Sequence, residues 1–104
     1  MNMKLESSFA DGSLKLMVSG ELDHHTAREA MHSLTEKIDK YLPNTCVVDF
    51  SGIRFMDSSG IAFVLNAQRR MKEIGGKMHV QGVNGQAMRV IRASGIDRII
   101  EIRE

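Results

Sequence analysis

The hydrophobic period of this chain changes repeatedly along its length, from strand-like to helix-like and back. Leu14, Leu16 and Val18 alternate with Ser13, Lys15, Met17 and Ser19, the pattern of a strand with one buried face, and Gly20 is expected to end it. Ala27, Met31, Leu34, Ile38 and Tyr41 then recur at helical spacing, with Arg28, Glu29, Glu36, Lys37 and Lys40 on the other faces. Pro43 marks a helix-to-strand connection. Cys46-Val47-Val48 is a short apolar run bounded by Pro43-Asn44 and Ser51-Gly52, as in a buried parallel strand. Helical spacing returns after Met56-Asp57, with Ile61, Val64, Leu65, Met71 and Ile74 as the expected buried face and Gly75-Gly76 as the stop. Met78 and Val80 mark a further strand. Ala87, Met88 and Ile91 mark a short helix ended by Gly95, and Ile99, Ile100 and Ile102 a last strand. At the start, residues 5–9 form a strand candidate that turns back at the hairpin signal Asp11-Gly12.

Strands that alternate with helices of this length require crossover connections, which are right-handed and produce a mostly parallel sheet. The expected fold is α/β: a single domain over residues 1–104, with a mixed, mostly parallel five-stranded sheet, an N-terminal hairpin and crossover helices. A chain of 104 residues leaves no room for a second lobe or a full barrel. With 14 Lys+Arg against 13 Asp+Glu, it lacks the basic excess of a general nucleic-acid binder. The lone Cys46 excludes an internal disulfide framework and a cysteine-rich zinc site. No apolar run reaches the length of a membrane span, and residues 1–6 lack the apolar core of a signal peptide. A cytoplasmic location with no membrane partner is the expectation. Sites in open α/β sheets favour the loops at the carboxyl ends of strands, which here are residues 20–26 and 53–60.

The second of these loops contains Phe55-Met56-Asp57-Ser58-Ser59-Gly60-Ile61, between a strand and a helix. Ser58 or Ser59 can cap that helix, and Gly60 permits close approach at its first turn. A Ser-Ser-Gly helix start is most often only a cap. Its functional alternative is a phosphorylatable hydroxyl at an electropositive helix end, beside an Asp57 that would repel the added phosphate. A hydrolytic serine is disfavoured because the G-x-S-x-G elbow is absent. His24-His25 invites a metal reading, but adjacent residues rarely converge on one ion and no third ligand follows by spacing. Neither Gly75-Gly76 nor Gly82-x-x-Gly85 makes a nucleotide-binding motif. No cofactor, no metal and no catalytic residue are expected. Met17 and Met56 are expected to be partly exposed contact residues.

Gly20-Glu21-Leu22-Asp23-His24-His25-Thr26-Ala27, Phe55-Met56-Asp57-Ser58-Ser59-Gly60-Ile61, Ile74-Gly75-Gly76 and Ser94-Gly95, in this order, resemble the STAS family of anti-sigma factor antagonists. The resemblance runs across nearly the whole chain. It implies a phosphorylation-controlled protein switch of the sporulation type, which is not an enzyme. In such a switch the unmodified protein binds an anti-sigma factor that is also a serine kinase, and the sigma factor is released. Phosphorylation by that kinase ends the binding, and a serine phosphatase restores it. Carried over by position, Ser58 is the phosphoacceptor, and Asp23, Asp57, Ser59, Gly60 and Gly95 belong to the partner-binding surface. Direct contact with nucleic acid is not implied. Ile61-Ala62 stands where the family often has Leu-Gly. Many members continue into a further helix beyond the last strand, where this chain ends at Glu104; its last strand or first helix is then expected to be covered differently, by self-association or a small sheet, and the expected state is a monomer or weak dimer. The alternative within the family is an adaptor domain in a transport or scaffold complex, without a phosphorylation cycle.

Overall fold

A computed structural model describes residues 2–104. Asp11 and Gly12 take positive φ angles of 52° and 78° and join β1 (Met3–Ala10) to β2 (Ser13–Leu22) as an antiparallel hairpin. After β2 the chain alternates: α1 (Ala27–Tyr41), β3 (Thr45–Met56), α2 (Ser58–Glu73), β4 (Lys77–Gln81), α3 (Gly85–Ser94), a 3-10 turn (Ile96–Arg98) and β5 (Ile102–Arg103). The strands lie in the order β1-β2-β3-β4-β5, and every pairing after the hairpin is parallel. Each parallel connection steps one strand in the same direction. Right-handed crossovers therefore place the three helices on one face. This is the expected single-domain α/β fold.

The pleat sorts the side chains. Leu14, Leu16 and Val18 of β2, Cys46, Val48 and Phe50 of β3 and Val80 of β4 point to the helical face, each at most 1% exposed. Ala30, Leu34 and Ile38 of α1, Phe63, Val64, Ala67 and Met71 of α2 and Ile91 of α3 complete this core. Phe50 and Phe63 meet with ring centroids 6.3 Å apart. On the other face Lys15, Met17, Val47, Asp49 and Gln81 are half-buried and face solvent.

Several expectations need correction. β2 continues past Gly20 to Leu22, and β3 continues past Ser51-Gly52 to Met56. Both run through bulges, where the register slips between Met17 and Ser19 and again between Gly20 and Glu21. Gly20 takes φ 88°, and a Cβ there would strike the backbone oxygen of Asn2, so the glycine bends the strand rather than ending it. Leu65 and Ile74, placed on the buried face of α2, are 40% and 38% exposed, because the helix turns Phe63 and Ala67 inward instead. Met56 is fully buried, not exposed. Ile99 is 64% exposed, since the 3-10 turn intervenes and leaves only Ile102 and Arg103 in the last strand.

Candidate functional site

The register pairs Leu22 with Met56, so Asp23 and Asp57 leave adjacent parallel strands side by side, about 5 Å apart at the backbone. The Asp57 N–H still donates to the Leu22 carbonyl at 3.2 Å, which ties the two loops at their base. Each loop is then folded by its own carboxylate. Asp57 is the N-cap of α2: its backbone is extended, and its Oδ1 accepts from the Ser59 N–H at 2.8 Å. The cap is thus neither serine. In the neighbouring loop, Asp23 Oδ1 accepts from the His25 N–H at 2.9 Å and the Thr26 N–H at 3.2 Å. Thr26 is buried, and its hydroxyl donates to the Glu21 carbonyl at 2.8 Å and accepts from the Asp23 N–H at 3.1 Å.

Local desolvation works against the charged form of Asp23. The two N–H donors, with the His25 and His24 rings beside it, outweigh that and hold its carboxyl below the ordinary value. His24 Nδ1 stands 3.9 Å from Asp57 Oδ2, so the first loop reaches across to the second. His24 and His25 lie against each other, ring centroids 4.0 Å apart. Among the described residues, no group of three or more His, Cys, Asp or Glu side chains is placed to hold a metal ion.

Ser58 is the first residue of α2 and is exposed; Ser59 is half-buried. The two serines that the pattern leaves equivalent are therefore separated by burial. Gly60 is buried against Met56, and a Cβ at this position would overlap Met56 Cγ and Sδ. Close approach of the first turn to the end of β3 is what this glycine serves. Phe55, 43% exposed, adds apolar surface beside the loop. Asp23, Asp57, Ser58, Ser59 and Gly60 form one contiguous end of the molecule. Gly95 does not join them. It terminates α3 in the left-handed region at φ 81°, at the opposite end of that helix from the Asp57-Ser58 loop. A broad hollow of about 450 Å³ is lined by Asn2, Lys4, Ser19, Gly52 and Arg54, without Ser58.

Gln86, in the first turn of α3, has no signal in the local pattern, yet it touches the loop's base. Its Oε1 accepts from the Met56 N–H at 2.9 Å and its Nε2 donates to the Met56 carbonyl at 2.8 Å.

Known proteins share this fold. An anti-sigma F factor antagonist from Paenibacillus polymyxa is 33% identical over 102 residues, spanning 98% of this chain and 87% of the relative. An anti-sigma factor antagonist from Mycobacterium paratuberculosis superposes with a TM-score of 0.88 at 22% identity, over 98% of this chain and 86% of that one. SpoIIAA superposes in its unphosphorylated form with a TM-score of 0.80 and in its phosphorylated form, from Bacillus, with 0.71. Both are 24% identical and cover 97% of this chain, over 87% and 90% of theirs. The STAS domain model matches residues 4–104, so the chain belongs to the STAS-domain family.

Proposed function

We propose that this chain is an anti-sigma factor antagonist controlled by phosphorylation of Ser58. Its unmodified form binds an anti-sigma factor that is also a serine kinase, which frees the sigma factor. The kinase then modifies Ser58 and loses its ligand, and a serine phosphatase resets the cycle. The observation that carries this reading is the placement of Ser58: an exposed hydroxyl at the start of α2, directly after Asp57, whose carboxylate lies 3.9 Å from His24 of the neighbouring Asp23 loop. The Paenibacillus polymyxa relative is named an anti-sigma F factor antagonist, and SpoIIAA exists in both phosphorylation states. The reading needs no catalytic residue, metal or cofactor in this chain, because the kinase brings the nucleotide. It places the protein in the cytoplasm.

The electrostatics support a switch. A phosphate adds about two negative charges beside Asp57 and Asp23, within a surface that a partner would desolvate. An unpaired buried charge costs about 2–5 kcal/mol, roughly 30- to several-thousand-fold in affinity. The test is intact mass and peptide mapping after incubation with an anti-sigma factor serine kinase and ATP, followed by binding measurements. One phosphate on Ser58 is expected, with Ser58→Ala retaining binding and Ser58→Asp losing it. Equal affinity of wild type and Ser58→Asp for the kinase would sink the proposal. A phosphate on Ser59 would keep the function and move the site.

A further inference from the structure

β3 outruns its neighbour. β4 pairs with it only from Thr45 to Asp49, so among the described residues the stretch from Phe50 to Met56 has no strand on that side. In a parallel ladder the N–H and C=O of one residue point to the same neighbour, and the next residue's point to the other. The Asp57 N–H faces β2, where it meets the Leu22 carbonyl. The N–H and C=O of Met56 accordingly face the empty side, and Met56 is fully buried. Unpaired polar groups there would be costly. The Gln86 amide meets both, at 2.9 and 2.8 Å, with the donor and acceptor that a strand's peptide unit would present. α3 is itself held down by buried Ala87 and Ile91, so the amide sits on a fixed platform.

We infer that Gln86 is a positioning residue for the switch serine: its side-chain amide replaces the missing strand partner of Met56 and fixes how Asp57 and Ser58 leave the sheet. Asp23 and Phe55, which a partner would touch, make no hydrogen bond to the Gln86 amide, which bonds to Met56. Loss of the clamp leaves the docking surface in place and misaligns the hydroxyl for transfer. The inference rests on the reading of Ser58 as phosphoacceptor, but its geometry can be tested separately.

The test uses Gln86→Leu and Gln86→Glu in the full chain. In Gln86→Leu the Met56 amide should exchange with solvent at least about tenfold faster, while core amides such as Val48 keep their protection. With a serine kinase that modifies wild type, kcat should fall roughly tenfold or more and KM should stay within about twofold. Gln86→Glu supplies the readout that a general structural role of α3 would not move. An ionised carboxylate cannot donate to the Met56 carbonyl, whereas a protonated one presents both an acceptor and a donor. At pH 7 it still accepts from the Met56 N–H but repels the Met56 carbonyl oxygen, so the Met56 carbonyl carbon chemical shift should depart from wild type and return towards it as the pH falls below about 4. This variant also carries the test if the leucine variant does not fold. Unchanged Met56 exchange in Gln86→Leu, an unchanged Met56 carbonyl shift in Gln86→Glu at pH 7, or a wild-type kcat in folded Gln86→Leu, overturns the inference. A wild-type chain that takes no phosphate on Ser58 overturns the switch reading instead, and the exchange data still decide whether the clamp exists.

Discussion

At the scale of single residues, the contact between Gly60 and Met56 shows why the loop tolerates so little change. The backbone of Gly60 needs no left-handed conformation; its constraint is steric, because the Met56 side chain fills the space of a Cβ. Gly60→Ala should destabilise the domain by about 1–2 kcal/mol, the cost of overpacking less a gain in helix propensity. In a Met56→Ala background the same substitution should cost less than about 0.5 kcal/mol, since the space is then open. A double-mutant cycle by chemical denaturation measures this, and equal costs in both backgrounds would remove Met56 as the reason for the glycine. Cys46 makes a second residue-level case. It is fully buried, and burial pushes its thiol up to about 12. At pH 8 its thiolate fraction falls roughly a thousandfold below that of a free cysteine. Iodoacetamide should leave the native protein unmodified and label the denatured chain at the ordinary rate; prompt labelling of native protein would contradict the burial.

At the scale of elements, Asp49 joins the three central strands on the face that no helix covers. From β3 it accepts from the Ser51 N–H at 2.8 Å and from Gln81 of β4 at 3.1 Å, and it stands 3.7 Å from Lys15 Nζ of β2. Burial pushes the Asp49 carboxyl up, but the bonds from Ser51 and Gln81 and the charge of Lys15 outweigh it and leave it below its ordinary value. A carboxyl depressed in the folded state stabilises that state above its unfolded pKa of about 3.9, and the contribution disappears as the pH falls through the folded value. The stability difference between wild type and Asp49→Asn should therefore be constant from pH 7 to about 5 and shrink below about 4. A difference that holds undiminished to pH 2 would show that ionisation of Asp49 is not its source. Elements were legible to different degrees for physical reasons. The order of strands and helices follows from Leu14/Leu16/Val18, from Ala27, Leu34 and Ile38 and from Val64 and Met71, where local period and burial agree. The ends of β2 and β3 do not follow, because a bulge held by pairing to another strand carries each past a turn-like glycine. Leu65 and Ile74 fit a helical stripe without facing the core. Asp57, Ser58 and Gly60 can be recognised from their motif, but the role of Gln86 cannot, since its partner lies 30 residues upstream.

At the scale of the whole molecule, the fold separates the Ser58 end from what keeps the domain folded. Core side chains lie between one sheet face and three helices, whereas Ser58 sits exposed where α2 begins. Charge is divided as well: residues 1–50 carry five Lys/Arg against eight Asp/Glu, and residues 51–104 carry nine against five. The Asp23 loop comes from the acidic half and the Ser58 helix from the basic half. A charge added at Ser58 meets two opposing local fields. The N-terminus of α2 favours it by about 0.3–1 kcal/mol, and the Asp57 carboxylate opposes it by a screened amount of similar size. The net effect on folding should lie within about 0.5 kcal/mol, a shift of no more than about 4 °C in the Tm of a domain this size. Binding to the kinase, where the same charge must be desolvated, should weaken 30-fold or more by the argument above. Calorimetry and denaturant titration of unmodified protein, Ser58→Asp and the phosphorylated form separate the two quantities. Equal Tm and equal denaturant slope with lost binding would mean that the domain switches as a rigid body, through the surface alone. A fall in Tm beyond about 8 °C, or a changed slope, would mean instead that the phosphate loosens the start of α2 and that the switch works by partial unfolding.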